Sequence, residues 1–266
     1  MNQPPLTVLA VGATGSIGRY VVEEALRQGH KVRALVRNPG KLRLPAEVEI
    51  VVGDLTRPES LLPAVDGIDA IVFTHGTYGN NSSTEQIDYG GVRNVLAALG
   101  SRRARIALMT AIAVTDRKSA HDWKRRAERL VRVSGLPYTI VRPGWFDYNE
   151  PDQLRLVLMQ GDQRQSGTPR DGVVARRQVA EVLVRSLKSD AAQQKTFELV
   201  AEAGARTTDF ERLFMSVDAD NDCSLDAVHD AANMPISEEP RSVVSAIEAC
   251  RRQPRPRSSY GAPHRR

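Results

Sequence analysis

Short apolar runs alternate with stretches in which apolar positions recur every three or four residues. "LTVLAV" (6–11) is a continuous apolar run of strand length. In the "SIGRYVVEEALRQG" that follows, Ile17, Val21, Val22, Ala25 and Leu26 fall on one side of a helix that Gly29 ends. "HKVRALVR" (30–37), "VEIVVGDL" (48–55), "IDAIVFTHG" (68–76), "RIALMTA" (105–111) and "PYTIVRPG" (137–144) read as further strands. "PESLLPAV", "GGVRNVLAALG" (90–100) and "HDWKRRAERLVRVSG" (121–135) read as helices between them. Near-continuous apolar strands are buried on both faces, and parallel neighbours need crossover helices. The pattern therefore predicts an α/β chain with a doubly wound parallel sheet.

Past Gly144 the pattern thins. "QLRLVLMQG" suggests a strand, "DGVVARRQVAEVLVRSLKSD" a strand and a helix, and "KTFELVAE" (195–202) a last strand. "TTDFERLFMSVD" reads as a helix opened by a Thr/Asp cap, and the rest as irregular. These segments suggest a small C-terminal substrate cap rather than an independent domain. The expected organisation is one domain over 1–245, with the cap contributed mainly by 145–175 and 203–240, and a basic, disordered tail over 246–266.

Composition adjusts this picture little. Hydrophobic residues make up 41% and charged residues 26%, the balance of a soluble globular chain. No apolar run approaches the ~18 residues of a membrane span. The first residues lack the basic stretch of a signal peptide, and two cysteines argue against a disulfide framework, so a cytoplasmic setting is expected. The net charge of +5 is a property of the end of the chain. "RRQPRPRSSYGAPHRR" holds six arginines and no acid, which leaves 31 basic against 32 acidic residues elsewhere. Without a nucleic-acid motif, that tail does not make nucleic acid the expected partner. Oligomeric state is not legible. "DADNDCSLDAVH" (218–229) spaces its acids like a calcium loop, but Cys223 and His229 stand where glycine and a bidentate glutamate belong. It is read as an acidic, helix-capping loop, and no metal site is expected.

The chemistry sits near the start. "VGATGSIGR" sets Gly12, Gly15 and Gly18 between the first strand and its helix, where glycines let the backbone approach a pyrophosphate and the helix N-terminus offers free N–H groups. The second strand ends "LVRNPGKL", with Arg37, Asn38 and Lys41 where an NAD site usually carries an acid for the ribose 2′-hydroxyl. A guanidinium suits a 2′-phosphate, so NADP(H) is favoured over NAD(H).

Together with "VVGDL", "IDYGGVRNVLAAL", "ALMTAIAV" and "SGLPYTIVRPG", these motifs make residues 5–200 resemble the NmrA-like group of atypical short-chain dehydrogenases/reductases. The resemblance implies a Rossmann fold. It implies that Gly12, Thr14, Gly15, Ser16 and Ile17 face the pyrophosphate, that Arg37 takes the 2′-phosphate and that Asp54 and Leu55 flank the adenine. Thr74, His75 and Gly76 would line the way to the nicotinamide, with Pro143 beside it. In standard members a serine and a Tyr-x-x-x-Lys helix form the catalytic set. Here Thr110 stands at or near the serine place, Lys124 matches the lysine, and Ala120 replaces the tyrosine that donates the proton. His121 and Tyr148 are candidate substitutes, with Tyr78 a weaker one; His121 reads equally as an ordinary first-turn residue. Trp145 and Phe146 could stack on a flat substrate or cap the core, while Arg142 and Pro143 would shape the loop at the sheet edge. The expectation is an NADPH-dependent reductase of a small, flat carbonyl or quinone-like molecule. The alternative is a non-catalytic NADP(H)-binding redox sensor or regulatory protein.

Overall fold

The computed structural model describes residues 4–41, 43–77, 81–222 and 224–253. The first half runs β1 (Thr7–Val11), α1 (Gly18–Arg27), β2 (Lys31–Val36), β3 (Glu49–Val52) and β4 (Ala70–Phe73). A short α2 (Asn81–Ser83) leads through a π-helical turn (Thr84–Tyr89) into α3 (Gly90–Leu99). Then come β5 (Arg105–Met109), α4 (Ser119–Val133), β6 (Tyr138–Pro143) and β7 (Trp145–Phe146). The chain ends with β8 (Arg155–Met159), β9 (Val173–Val174), α5 (Arg176–Ser186), β10 (Lys195–Glu202), α6 (Phe210–Met215) and α7 (Arg241–Arg252).

Eight strands form one sheet in the order β3-β2-β1-β4-β5-β6-β10-β8. The chain reverses direction of winding at β1, which pairs in parallel with both β2 and β4. That switch point opens a crevice beyond the carboxyl ends of the strands. The predicted doubly wound sheet is thus present, with one difference. β8 pairs antiparallel with β10, Leu158 opposite Leu199, and so closes the sheet edge. Its fold partner is the sheet, not a cap. The small ladder β7–β9 lies apart, Trp145 beside Val173.

Two apolar clusters cover the two faces. Val21, Val22 and Ala25 of α1, Val179 and Leu183 of α5, and Phe210 and Phe214 of α6 pack on one. Val92 and Leu96 of α3, Trp123 and Leu130 of α4, and Val243, Ile247 and Cys250 of α7 pack on the other. The last helix corrects the expected organisation: a boundary at 246 falls inside α7, whose apolar stripe is core. Residues 254–266, the rest of the basic tail, lie outside the described residues.

The acidic loop also differs from its reading. Among the described residues its acids cap no helix; Asp220 and Asp226 neutralise the arginine face of α4, and Asp218 pairs with His229 at 2.8 Å. Asp226 takes Arg125 at 3.0 Å and Arg129 at 2.8 Å, and Asp220 takes Arg132 at 3.2 Å. Farther on, Glu239 accepts from Arg126 and Arg129 at 2.6 and 2.7 Å. Arg142 is likewise not at a sheet edge. It is fully buried in β6, an interior strand, between Glu128, Glu198 and Asp230. Buried guanidinium groups cost several kcal/mol each unless paired this completely.

Candidate active site

The crevice is an open cleft of about 820 Å³ whose walls come from the glycine turn, the ends of β2, β4, β5 and β6, the start of α4, Gly167 and Asp171. At one end is the glycine turn. Gly12 sits at φ +95°, and a Cβ there would stand 2.6 Å from the backbone nitrogen of His75. A Cβ on Gly18 would stand 1.9 Å from the Gly12 carbonyl oxygen. Only glycine admits this approach of helix to turn. No side chain caps α1; the Arg19 and Tyr20 N–H groups bond the Gly15 and Ile17 carbonyls at 3.2 and 2.9 Å. Thr14, Gly15, Ser16, Ile17, Arg37, Asp54, Leu55, Thr74, His75, Gly76 and Pro143 all line the cleft. Asp54 is tied down by Thr56, whose N–H and hydroxyl donate to it at 2.9 and 2.8 Å and hold its carboxyl below the usual range.

One of the expected cofactor residues stands differently. Asn38 is exposed and does not line the cleft; its side chain accepts from Gly40 N–H at 3.0 Å and braces the turn. The Lys41 side chain and Tyr78 lie outside the described residues.

Farther along lie the helix residues. Lys124 lines the cleft and is ion-paired with Asp88, which also accepts from the Thr77 N–H and hydroxyl at 3.1 and 2.9 Å. Asp88 belongs to the π turn, a local widening that recurs at functional sites. Sequence reasoning passed over Asp88 because a carboxylate in a helical pattern reads as solvated. The paired Gly90–Gly91 beside it was a usable signal: a Cβ on Gly91 would stand 2.9 Å from the His75 ring. That ring bonds the Ile87 carbonyl at 3.0 Å through Nε2, and desolvation pushes it down to about 4, so it is neutral.

Thr110 does not offer its hydroxyl proton to the cleft. It donates to Glu128 at 2.7 Å. Burial alone would raise the Glu128 carboxyl, but Arg142 and Arg132 outweigh it and hold it at about 2. An ionised carboxylate only accepts, so Thr110 is the donor of that bond and presents lone pairs elsewhere. Tyr148 is not brought to the cleft: it is 63% exposed and stands edge-on to Trp145. Trp145 and Phe146 do line the cleft, as do Met109, Ile112 and Ala113. Of the expected cap, 145–175 contributes Trp145, Phe146, Gly167 and Asp171, while no described residue of 203–240 lines the cleft.

The loop after β5 is held from below. Ala113 adopts φ +63°, a strained value for a residue with a Cβ. Asp162 fixes it, accepting from Ala113 N–H and Thr115 N–H at 2.7 Å each. Glu198 in turn accepts from Asp162 N–H at 3.1 Å. His121 lines the cleft and bonds Asp116 at 2.9 Å through Nδ1.

A glycine cradle, an uncapped helix and a basic residue at the second strand are what a dinucleotide asks of a Rossmann crevice, and the residues present fit one. A family model for NAD(P)H-binding proteins matches residues 12–190. The chain is 28% identical over 264 residues to sanguinarine reductase of Eschscholzia californica, covering 80% of this chain and 96% of that one. It is 28% identical over 225 residues to a photosystem II assembly factor of Synechocystis sp., covering 81% and 69%. Among solved structures, one described as a candidate NAD-dependent epimerase/dehydratase from Bacillus halodurans superposes with a TM-score of 0.67 at 25% identity, covering 80% and 100%. The chain belongs to the NAD(P)H-binding family, as an NmrA-like atypical short-chain dehydrogenase/reductase, and is an oxidoreductase by class. No helix among the described residues is long and apolar enough to cross a membrane.

Proposed function

We propose that the protein is an NADPH-dependent reductase of a small, flat carbonyl or quinone-like molecule. The observation that carries this reading is the continuity of one cleft. The glycine turn, Arg37, Lys124 and the apolar side chains of Met109, Ile112, Trp145 and Phe146 all line it. When bound, the nicotinamide cofactor supplies a hydride. The protein orients it: the α1 N-terminus and the glycine turn take the pyrophosphate, Arg37 takes the 2′-phosphate, and Lys124, steered by Asp88, holds the nicotinamide ribose. The aromatic wall stacks a flat acceptor and excludes water. Orientation of this kind is worth about 7–11 kcal/mol of barrier, against roughly 10²–10⁴-fold from a general acid, so the missing tyrosine does not disable the site. The relative named for sanguinarine reduction supports the reductase reading. A cytoplasmic setting belongs to the same reading. The test is stopped-flow mixing of NADPH-loaded protein with quinones, enones and ketones, following nicotinamide absorbance. Tight NADPH binding without oxidation by any of them would overturn it.

A second reading, a redox sensor without turnover, is favoured by one observation: Ala120 carries no donor and Thr110 spends its proton on Glu128. It requires a protein partner whose binding differs between NADP and NADPH. Pull-downs unaffected by nucleotide state would rule it out.

A further inference from the structure

We propose that Asp116 and His121 form a proton-delivering dyad, with His121 Nε2 as the donor to the substrate oxygen in place of the absent tyrosine. The inference rests on the reductase reading.

Ala120 lines the cleft without a polar atom, and His121, the next residue in the first turn of α4, lines it too. Its Nδ1 stands 2.9 Å from Asp116 Oδ1. Asp116 also accepts from Lys118 N–H at 3.0 Å and pairs with the Lys118 ammonium at 2.7 Å. Burial pushes the Asp116 carboxyl upward, but the bonds from Lys118 and His121 more than offset this and hold it below the usual range. It is therefore an acceptor only, and Nδ1 must carry the hydrogen. That fixes the tautomer: in the neutral ring Nε2 is bare, and in the charged ring Nε2 carries the transferable proton. Nε2 has no hydrogen-bond partner among the described residues.

The loop that presents Asp116 is tightly determined. Arg117 adopts φ +62° and is pinned by Asp122 at 3.1 Å and by the Asn233 carbonyl. Positive φ at a residue with a Cβ persists only where surroundings enforce it. Among the described residues, the rival donors are engaged or stand away from the cleft. The Thr110 hydroxyl donates to Glu128, Tyr148 stands outside the cleft, and the His75 ring is neutral with its Nε2 on a carbonyl. A carboxylate that orients an imidazole is the arrangement by which histidine moves protons.

As the carbonyl carbon gains its hydride, the C=O π pair moves to oxygen. The His121 Nε2–H bond breaks and an O–H bond forms. The ring is left neutral, with its Nδ1–H still on Asp116, and water restores the proton.

The test has two arms on the full-length protein. In ¹⁵N-histidine-labelled protein, with His121 assigned by comparison with His121→Gln, ring nitrogen shifts should show the neutral ring as the Nδ1–H tautomer. In Asp116→Ala it should revert to Nε2–H, the form favoured in water. The second arm compares two flat hydride acceptors with NADPH: 9,10-phenanthrenequinone, whose oxygen takes a proton, and N-methylacridinium, which takes none. The quinone-to-acridinium rate ratio should fall roughly 10²-fold in His121→Gln. An Nε2–H tautomer in the wild type overturns the dyad. So does a ratio unchanged by the substitution, with both acceptors reduced, which leaves the reductase reading standing. A wild type that binds NADPH and reduces neither acceptor sinks both.

Discussion

Glu198 is a buried acid kept under tension, and its effect on stability can be isolated. Burial pushes its carboxyl up to about 7, from 4.5 in the unfolded chain. The cause is geometric. Arg142 gives its Nε and one terminal nitrogen to Glu128 at 3.0 and 2.7 Å, and reaches Glu198 only at 3.3 Å with the other. The native state thus holds a proton on Glu198 that the unfolded state has released between these two values. Native stability must fall as pH rises through that window. At about 1.4 kcal/mol per pKa unit, the loss between pH 4.5 and 8 is about 3 kcal/mol, a large part of a typical net stability of about 5–15 kcal/mol. Glu198→Gln cannot ionise, yet its Oε1 can still accept from Asp162 N–H, and Arg142 keeps Glu128 and Asp230. The variant-minus-wild-type stability, from urea unfolding at a series of pH values, should rise by about 3 kcal/mol between pH 4.5 and 8, equivalent to roughly 6–12 °C in Tm. Taking the difference removes the opposite trend of His75, pushed down to about 4, whose contribution is lost as pH falls below 6.5. A difference flat to within about 0.5 kcal/mol across the range would refute the burial argument.

Two further outcomes follow from the cofactor end. Gly12→Ala places a Cβ at φ +95° against the His75 backbone, a strain of about 1–2 kcal/mol before any displacement of the turn. NADPH affinity by calorimetry should fall at least tenfold, and unchanged affinity would show that the turn does not meet the nucleotide. Arg37→Asp removes a charge-assisted bond worth about 1.5–3 kcal/mol and adds repulsion, so preference should move from NADPH toward NADH by roughly 10²-fold or more. Equal affinities before and after would reject the 2′-phosphate assignment.

The sheet was legible because burial on both faces writes itself as continuous apolar runs, and the glycine turn because its spacing falls between a strand and a helix. β8 was legible as a strand but not as antiparallel, since direction depends on which edge the chain returns to. The residues in and behind the cleft that resist sequence reading are acids. Asp88, Asp116 and Asp162 each look like solvated loop or helix carboxylates, and nothing local says that the chain folds a lysine, a histidine or two backbone N–H groups onto them. The same holds for the arginine stripe of α4: Asp220, Asp226 and Glu239 arrive from about a hundred residues away to bury Arg125, Arg129 and Arg132. α7 was passed over because its three core residues, Val243, Ile247 and Cys250, are a narrow stripe beside an arginine-rich end.

The sequence by itself determined the alternation of strands and helices, the crevice at the chain's first turn and the basic residue facing it, because these follow from local periodicity and from glycine's freedom. Only the tertiary structure decided which hydroxyl keeps its proton, which histidine is neutral and which carboxylate stays charged. Those are set by distance and desolvation between residues far apart in the chain. Thr110 is 18 residues from the Glu128 that takes its hydrogen, and Lys124 is 36 from the Asp88 that steers it. Electrostatics at such separations has no periodicity to read.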